Sequence, residues 1–194
     1  MVPNQEIKKD PIVENTGVND AIVFLTVEVP NEEVTVAAAD GTKGTKGLTD
    51  LFWFKDEADT QGTFANNWNT NWLELADKEV AATAGEKTHK YVFAYKTKVA
   101  KDQKTEALFD KVQLKNVIEG EVDTTTQSIV VNAYAIQAAE VLDADEADLT
   151  DALDATTLGK IYDIYFKQNG NTDVNAVKKE AATNNAKDLT GNDL

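Results

Sequence analysis

No stretch of this chain limits its architecture as sharply as Ala21-Ile-Val-Phe-Leu-Thr-Val-Glu-Val29. The run is β-branched, and its first half is apolar at consecutive positions. A strand built from it presents hydrophobic side chains to both faces of a sheet, so both faces need cover. Pro30 follows and predicts the end of the strand. The run is far shorter than the ~20 residues of a membrane-spanning helix, and no other stretch is more apolar.

Further β signals lie on either side of it. Residues 7–15 read as a strand carrying Pro11, which lacks an N–H and so belongs on an edge or at a bulge. Asn15-Thr16-Gly17 is a turn, and residues 33–37 read as a short strand. Residues 40–47 hold three glycines and no P-loop spacing, which predicts a hairpin connection rather than a phosphate cradle. Residues 51–54 and 68–75 are dense in aromatics. Trp53, Trp68 and Trp72 read as core plugs, with an exposed platform for sugar rings as the alternative. In residues 90–98, Tyr91, Phe93 and Tyr95 alternate with Lys90, Ala94, Lys96 and Lys98, the pattern of a half-exposed antiparallel strand. Residues 107–114 and 128–137 complete a set of about seven strands with no helices between them, which predicts an antiparallel sandwich.

The composition changes after Gln137. Leu158, Ile161, Tyr162 and Tyr165 recur at helical spacing, and Asn169-Gly170 supplies a stop. Asp173 is placed to cap a further helix. The chain therefore divides into a β domain over residues 1–139 and an acidic helical extension over 140–194. The fold class is mainly β.

Charge and residue inventory narrow the function. The chain carries 19 Lys+Arg against 34 Asp+Glu, a net charge of −15, and every cation is Lys. An Arg-free polyanion is a poor partner for nucleic acid or an anionic membrane surface. There is no cysteine, hence no thiolate chemistry and no Cys-held metal. His89 is the only histidine, which excludes a two-histidine zinc motif, and at a strand start it reads as an ordinary half-exposed residue. The acidic residues 143–148 lack the glycine and glutamate of a calcium loop and read as a helix start. No catalytic constellation, cofactor or metal site is expected.

One ordered set of segments goes further. Lys9-Asp10-Pro11, then Asn15-Thr16-Gly17, then Ala21 opening the apolar strand resembles the start of the TasA/camelysin family, bacterial proteins exported with a SipW-type signal peptide. Tyr91-Val-Phe-Ala-Tyr95, Thr105-Glu-Ala-Leu-Phe-Asp-Lys-Val112 and Val131-Asn-Ala-Tyr-Ala-Ile-Gln-Ala138 follow in order, so the likeness covers the β region. It implies a jelly-roll-like β-sandwich, secreted and held at the cell surface or in the extracellular matrix. It also implies fibres in which a strand of one subunit completes the sheet of the next. Relatives carry a signal peptide and a donor-type strand ahead of the point where this match begins, so both are expected to be missing here.

The leading expectation is a non-enzymatic fibre or biofilm-matrix subunit that self-assembles, with a minor matrix or anchoring subunit as a further partner. Its strand-addition edge is expected around Ile7, Pro11, Ile12 and Val13. The alternatives are a carbohydrate-binding or adhesion module built on the tryptophans, and a camelysin-like metalloprotease, which one histidine and no cysteine do not support.

Overall fold

The computed structural model describes residues 4–38, 40–57, 65–122, 127–139, 141 and 152–170. Eight strands appear among them: β1 (Glu6–Lys8), β2 (Ala21–Val34), β3 (Gly47–Asp50), β4 (Phe52–Lys55), β5 (Trp72–Glu74), β6 (Thr88–Tyr95), β7 (Lys111–Leu114) and β8 (Val130–Gln137). A 3-10 turn, Ala76–Lys78, follows β5, and helix α1 spans Ala155–Gln168. All pairings are antiparallel. A small sheet has the order β1-β7-β4, and a large one has β3-β2-β6-β5 with β8 also beside β2. The chain crosses between sheets at most connections, in the jelly-roll manner, and the two sheets share one core. The protein is thus mainly β, a sandwich with a helix at its C-terminal side.

β2 carries the architecture. Val23, Leu25, Val27 and Val29 point inward and pack with Phe52, Phe54 and Val112 of the small sheet. Ile22 and Phe24, on the opposite face, pack with Leu158, Ile161, Tyr162 and Phe166 of α1. Phe24 and Tyr162 meet edge to face at 5.3 Å, a favoured aromatic geometry. The two-sided apolar pattern thus has two covers, a sheet and a helix.

Pro30 does not end β2, contrary to the sequence expectation. β8 pairs with β2 only as far as Glu28, and β3 begins to pair at Asn31. Pro30 falls in the gap between these two partners, so its missing N–H interrupts neither ladder. The short strand expected at residues 33–37 is the end of β2 plus isolated bridges from Val36 to Val117 and from Ala37 to Lys43. The latter closes the glycine-rich hairpin, in which Gly41 takes a positive φ of 85°.

β6 also departs from expectation. Lys90 and Ala94 read as part of its exposed face, which Val92 dilutes, yet all three are buried. For Val92 and Ala94 the reason is α1, whose apolar stripe lies over them. Asp154 caps α1 by accepting from the Thr157 N–H at 2.7 Å, and Gly170, with φ of 75°, follows its end. Lys78 Nζ, 2.7 Å from Asp163, ties the helix to the 3-10 turn. In the small sheet, Lys111 lies opposite both Lys8 and Lys55. Glu6, 3.4 Å from Lys55 and from Lys111, offsets that like-charge crowding. The helix start expected at residues 143–148 and the helix expected beyond Asp173 lie outside the described residues, while residues 152–154, where helical spacing is also expected, are irregular and lead to the Asp154 cap.

The helix belongs to the same cooperative unit as the sandwich. Leu158→Ala should lower stability by about 2–5 kcal/mol, the usual cost of emptying such a buried site. All three tryptophans lie in the β region. The urea transition followed by tryptophan fluorescence should therefore shift as one step together with the helical circular dichroism signal.

Candidate functional site

β8 is the strand whose sequence and surroundings disagree. Among the described residues, its eight residues pair with β2 along one edge only. Opposed residues of an antiparallel pair point the same way. Val131, Ala133 and Ala135, opposite Val27, Leu25 and Val23, therefore lie on the inner face of the large sheet. Their partners are buried, yet all three remain exposed: Val27 is 0% accessible and Val131 36%. Among the described residues the small sheet has three strands, β1, β7 and β4.

The result is an open seam of about 610 Å³ along one side of the sandwich. Phe52, Phe109, Val112, Ile129 and Val131 supply its apolar lining, and residues 8–11 form the facing rim. Ile7 and Val13 pack against the core from that N-terminal segment, and Ile12 is 51% exposed. The segment is tied down along one side only. Lys9 N–H donates to the Asp110 carbonyl at 2.8 Å, and Val13 and Thr105 are joined through the Val13 carbonyl at 2.9 Å. The seam accordingly has two flanking edges. In the N-terminal one Pro11 turns its carbonyl to the Leu108 N–H, on the side already paired, and β8 is an unbroken strand. Sequence reasoning singled out the edge at Ile7, Pro11, Ile12 and Val13 but not β8. The signal available for β8 was its small inner-face residues, Ala133 and Ala135, which bury little even when covered.

The tryptophans do not form one surface. Trp68 is enclosed by Phe54 and Phe93, each at 4.7 Å between ring centres, with Tyr91 and Phe109 beyond. Trp72 is buried, and its indole N–H donates to the Glu106 carbonyl at 3.0 Å. Trp53 is half-buried, with Lys115 Nζ 3.6 Å from its ring centre. These rings share no exposed face. Two of them anchor the core for the reason that aromatic side chains usually do, their large buried area.

A second site, at the β3–β4 corner, is polar. Asp50 accepts from Asn31 Nδ2 at 2.7 Å, from the Tyr91 hydroxyl at 2.6 Å and from His89 Nδ1 at 3.0 Å. The other ring nitrogen of His89 meets the Glu79 carboxylate. Burial alone would raise the Asp50 pKa, but hydrogen bonds from His89, Tyr91 and Asn31 outweigh it and hold the carboxyl below its ordinary value. Burial opposes charge on His89 too. The bonds to Asp50 and Glu79 outweigh it and raise the imidazole pKa. Burial and the nearby Glu79 raise Glu74, and burial lowers Lys115 against the attraction of Asp50. With both ring nitrogens engaged, His89 serves here as an electrostatic tie between elements rather than a free base. Sequence reading missed this, since Asp50, Glu79 and His89 come together only through strand pairing.

Among the described residues, no group of three or more His, Asp or Glu side chains is placed to hold a metal ion. An acidic depression of about 620 Å³ does lie near Asp10, Asp56, Glu57, Glu106 and Asp110. Burial and the adjacent Asp110 raise the Asp56 pKa there. Among the described residues, no helix is long and apolar enough to cross a membrane. Comparison of the chain with protein-family models, curated proteins and solved structures finds no match.

The seam is directly measurable because the chain has no cysteine. A single Val131→Cys thiol should react with a maleimide at close to the rate of an unfolded peptide. Val27→Cys, at the paired position across the strand, should be protected by orders of magnitude, reacting only on unfolding.

Proposed function

We propose that this protein is a non-enzymatic structural subunit of an extracellular fibre or biofilm matrix, exported to the surface of a bacterium, which polymerises by strand addition at the seam beside β8. The observation that carries this reading is the uncovered inner face of β8, with Val131, Ala133 and Ala135 exposed next to a free strand edge. An extended segment from a second copy laid there would satisfy unpaired backbone groups along about 26 Å of strand. Its alternate side chains would settle on Phe52, Phe109, Val112 and Val131. The exposed inner face of β8, at Val131, Ala133 and Ala135, makes β8 the acceptor, and the N-terminal segment forms the rim. The resemblance of the β region to TasA/camelysin proteins supports the location and the fibre form. A minor anchoring subunit would enter the same seam at a fibre end.

Charge sets the conditions. At −15, copies repel one another at low ionic strength. Salt shortens the screening length to about 10 Å at 0.1 M and so eases assembly.

Light scattering and negative-stain microscopy over a range of protein and NaCl concentrations test the proposal on the chain preceded by the donor-type strand that the resemblance implies. Polymers should appear with rising concentration and sooner with added salt. Ala133→Lys, which places a charge on the exposed inner face of β8, should abolish them while leaving the thermal midpoint unchanged, since Ala133 is exposed. A chain that stays monomeric at every concentration and salt level would overturn the reading.

A further inference from the structure

We propose that His89 is a proton-operated clasp: as an imidazolium it joins β6 at once to the β3–β4 corner and to the turn after β5, and as a neutral ring it lets one of the two go. The argument begins with donor counting. His89 Nδ1 lies 3.0 Å from Asp50 Oδ2, and Nε2 meets Glu79. Both partners are carboxylates, which only accept when ionised. A neutral imidazole carries one N–H and an imidazolium two, so only the charged ring satisfies both sides.

The elements so joined are far apart in sequence. Asp50 closes β3, where the chain leaves the large sheet for β4 in the small one. Glu79 follows the 3-10 turn and precedes the bridge from Val80 to Lys90. The side chain of His89 is 16% accessible, enough for protons to exchange with solvent but too little for water to replace a lost partner. Other groups around it pull in known directions. Glu74 on β5 adds negative charge beside Glu79. Tyr91 on β6 donates to Asp50. Lys115, following β7, attracts Asp50 from the small sheet. Two carboxylates in direct contact and a third nearby outweigh the single distant lysine, so the site favours the charged ring.

The direction of the pH effect follows. A histidine whose pKa is raised on folding contributes stability that is fully present below its unfolded pKa and is lost as pH rises through the folded one. Glu74, also raised, adds to the same trend. Asp50, lowered, contributes stability that is lost only as pH falls through its own folded value, on the far acid side. The clasp is therefore closed below the native titration of His89 and opens as pH rises through it. It operates whether or not the protein polymerises.

Because His89 is the only histidine, its ring gives one unambiguous set of signals in a pH titration followed by nuclear magnetic resonance. In the native protein the midpoint should lie above that of the same residue in urea, and Glu79→Gln should lower it. The thermal midpoint of the wild type should fall as pH rises through the native titration. His89→Gln should flatten that dependence, and the amides of Leu51 and Lys115, which bond across the corner, should lose exchange protection over the same range. If His89→Gln does not fold, Glu79→Gln carries the stability arm alone. A native midpoint at or below the urea value, or a stability profile unaltered in Glu79→Gln, would sink the proposal.

Discussion

Everything in this fold follows from burying both faces of β2. A central strand with Val23, Leu25 and Val27 on one side and Ile22 and Phe24 on the other cannot border water on either. Each of these side chains, left exposed, forgoes about 1.5–3 kcal/mol of transfer free energy. One face recruits the small sheet and the other recruits α1, so the molecule becomes three layers deep at β2 and thinner elsewhere. The helix, though it comes last in the chain, covers a face that the β region alone would leave open. That explains why Val92 and Ala94 of β6 are buried rather than solvated.

The same strand also explains where cover runs out. One flank of β2 pairs with β6 through Phe24–Pro30, and the other is shared between β8 and β3. Sharing makes the large sheet wide at the β8 end, while the small sheet stays three strands across. The mismatch falls on β8. Its inner positions are a valine and two alanines, so the apolar area left open is modest and an isolated chain tolerates it. A row of isoleucines there would make the seam a strong aggregation surface; a row of lysines would block strand entry. The residues present suit an intermediate case, an edge that is open but weakly attractive until copies are brought close.

How much of this was readable in advance depended on the range of the interaction. The strand at residues 21–29, the alternation of Tyr91, Phe93 and Tyr95, and the stripe at Leu158, Ile161 and Tyr162 are local patterns and appear in the structure where the sequence placed them. Trp68 and Trp72 were readable as core residues by size alone. Pro30 misled, because a proline's cost depends on what pairs beside it, and the change from β8 to β3 is not a local property. Lys90 misled for a related reason: a charged residue on an alternating strand reads as solvent-facing, whereas its burial comes with pairing to Glu28 and Val80, which is not a local property. The clasp and the seam were both invisible. Asp50, Glu79 and His89 show no spacing rule, and the exposure of Ala133 and Ala135 depends on how many strands the other sheet has.

These two features meet at one corner. Asp50 ends β3 and Phe52 begins β4, so the carboxylate that His89 grips lies two residues from an aromatic ring lining the seam. Leu51 between them is fully buried, its N–H bonded to the Pro30 carbonyl and its carbonyl to the Lys115 N–H. That residue is thereby fixed to both sheets at once. A tie on Asp50 and a bond on each side of Leu51 leave Phe52 little freedom to shift, and interiors packed this closely transmit displacement rather than absorb it. Under the strand-addition proposal the groove needs a firm floor, since alternate side chains seat only where the register of pockets is constant. The corner provides that floor with polar contacts at its outer end and apolar ones at its inner end. The polar contacts depend on protonation, whereas the apolar ones do not. Loosening the outer end would therefore soften this part of the floor without dismantling the core beneath it, because Val27, Val29 and Phe54 keep their packing whatever the charge on His89.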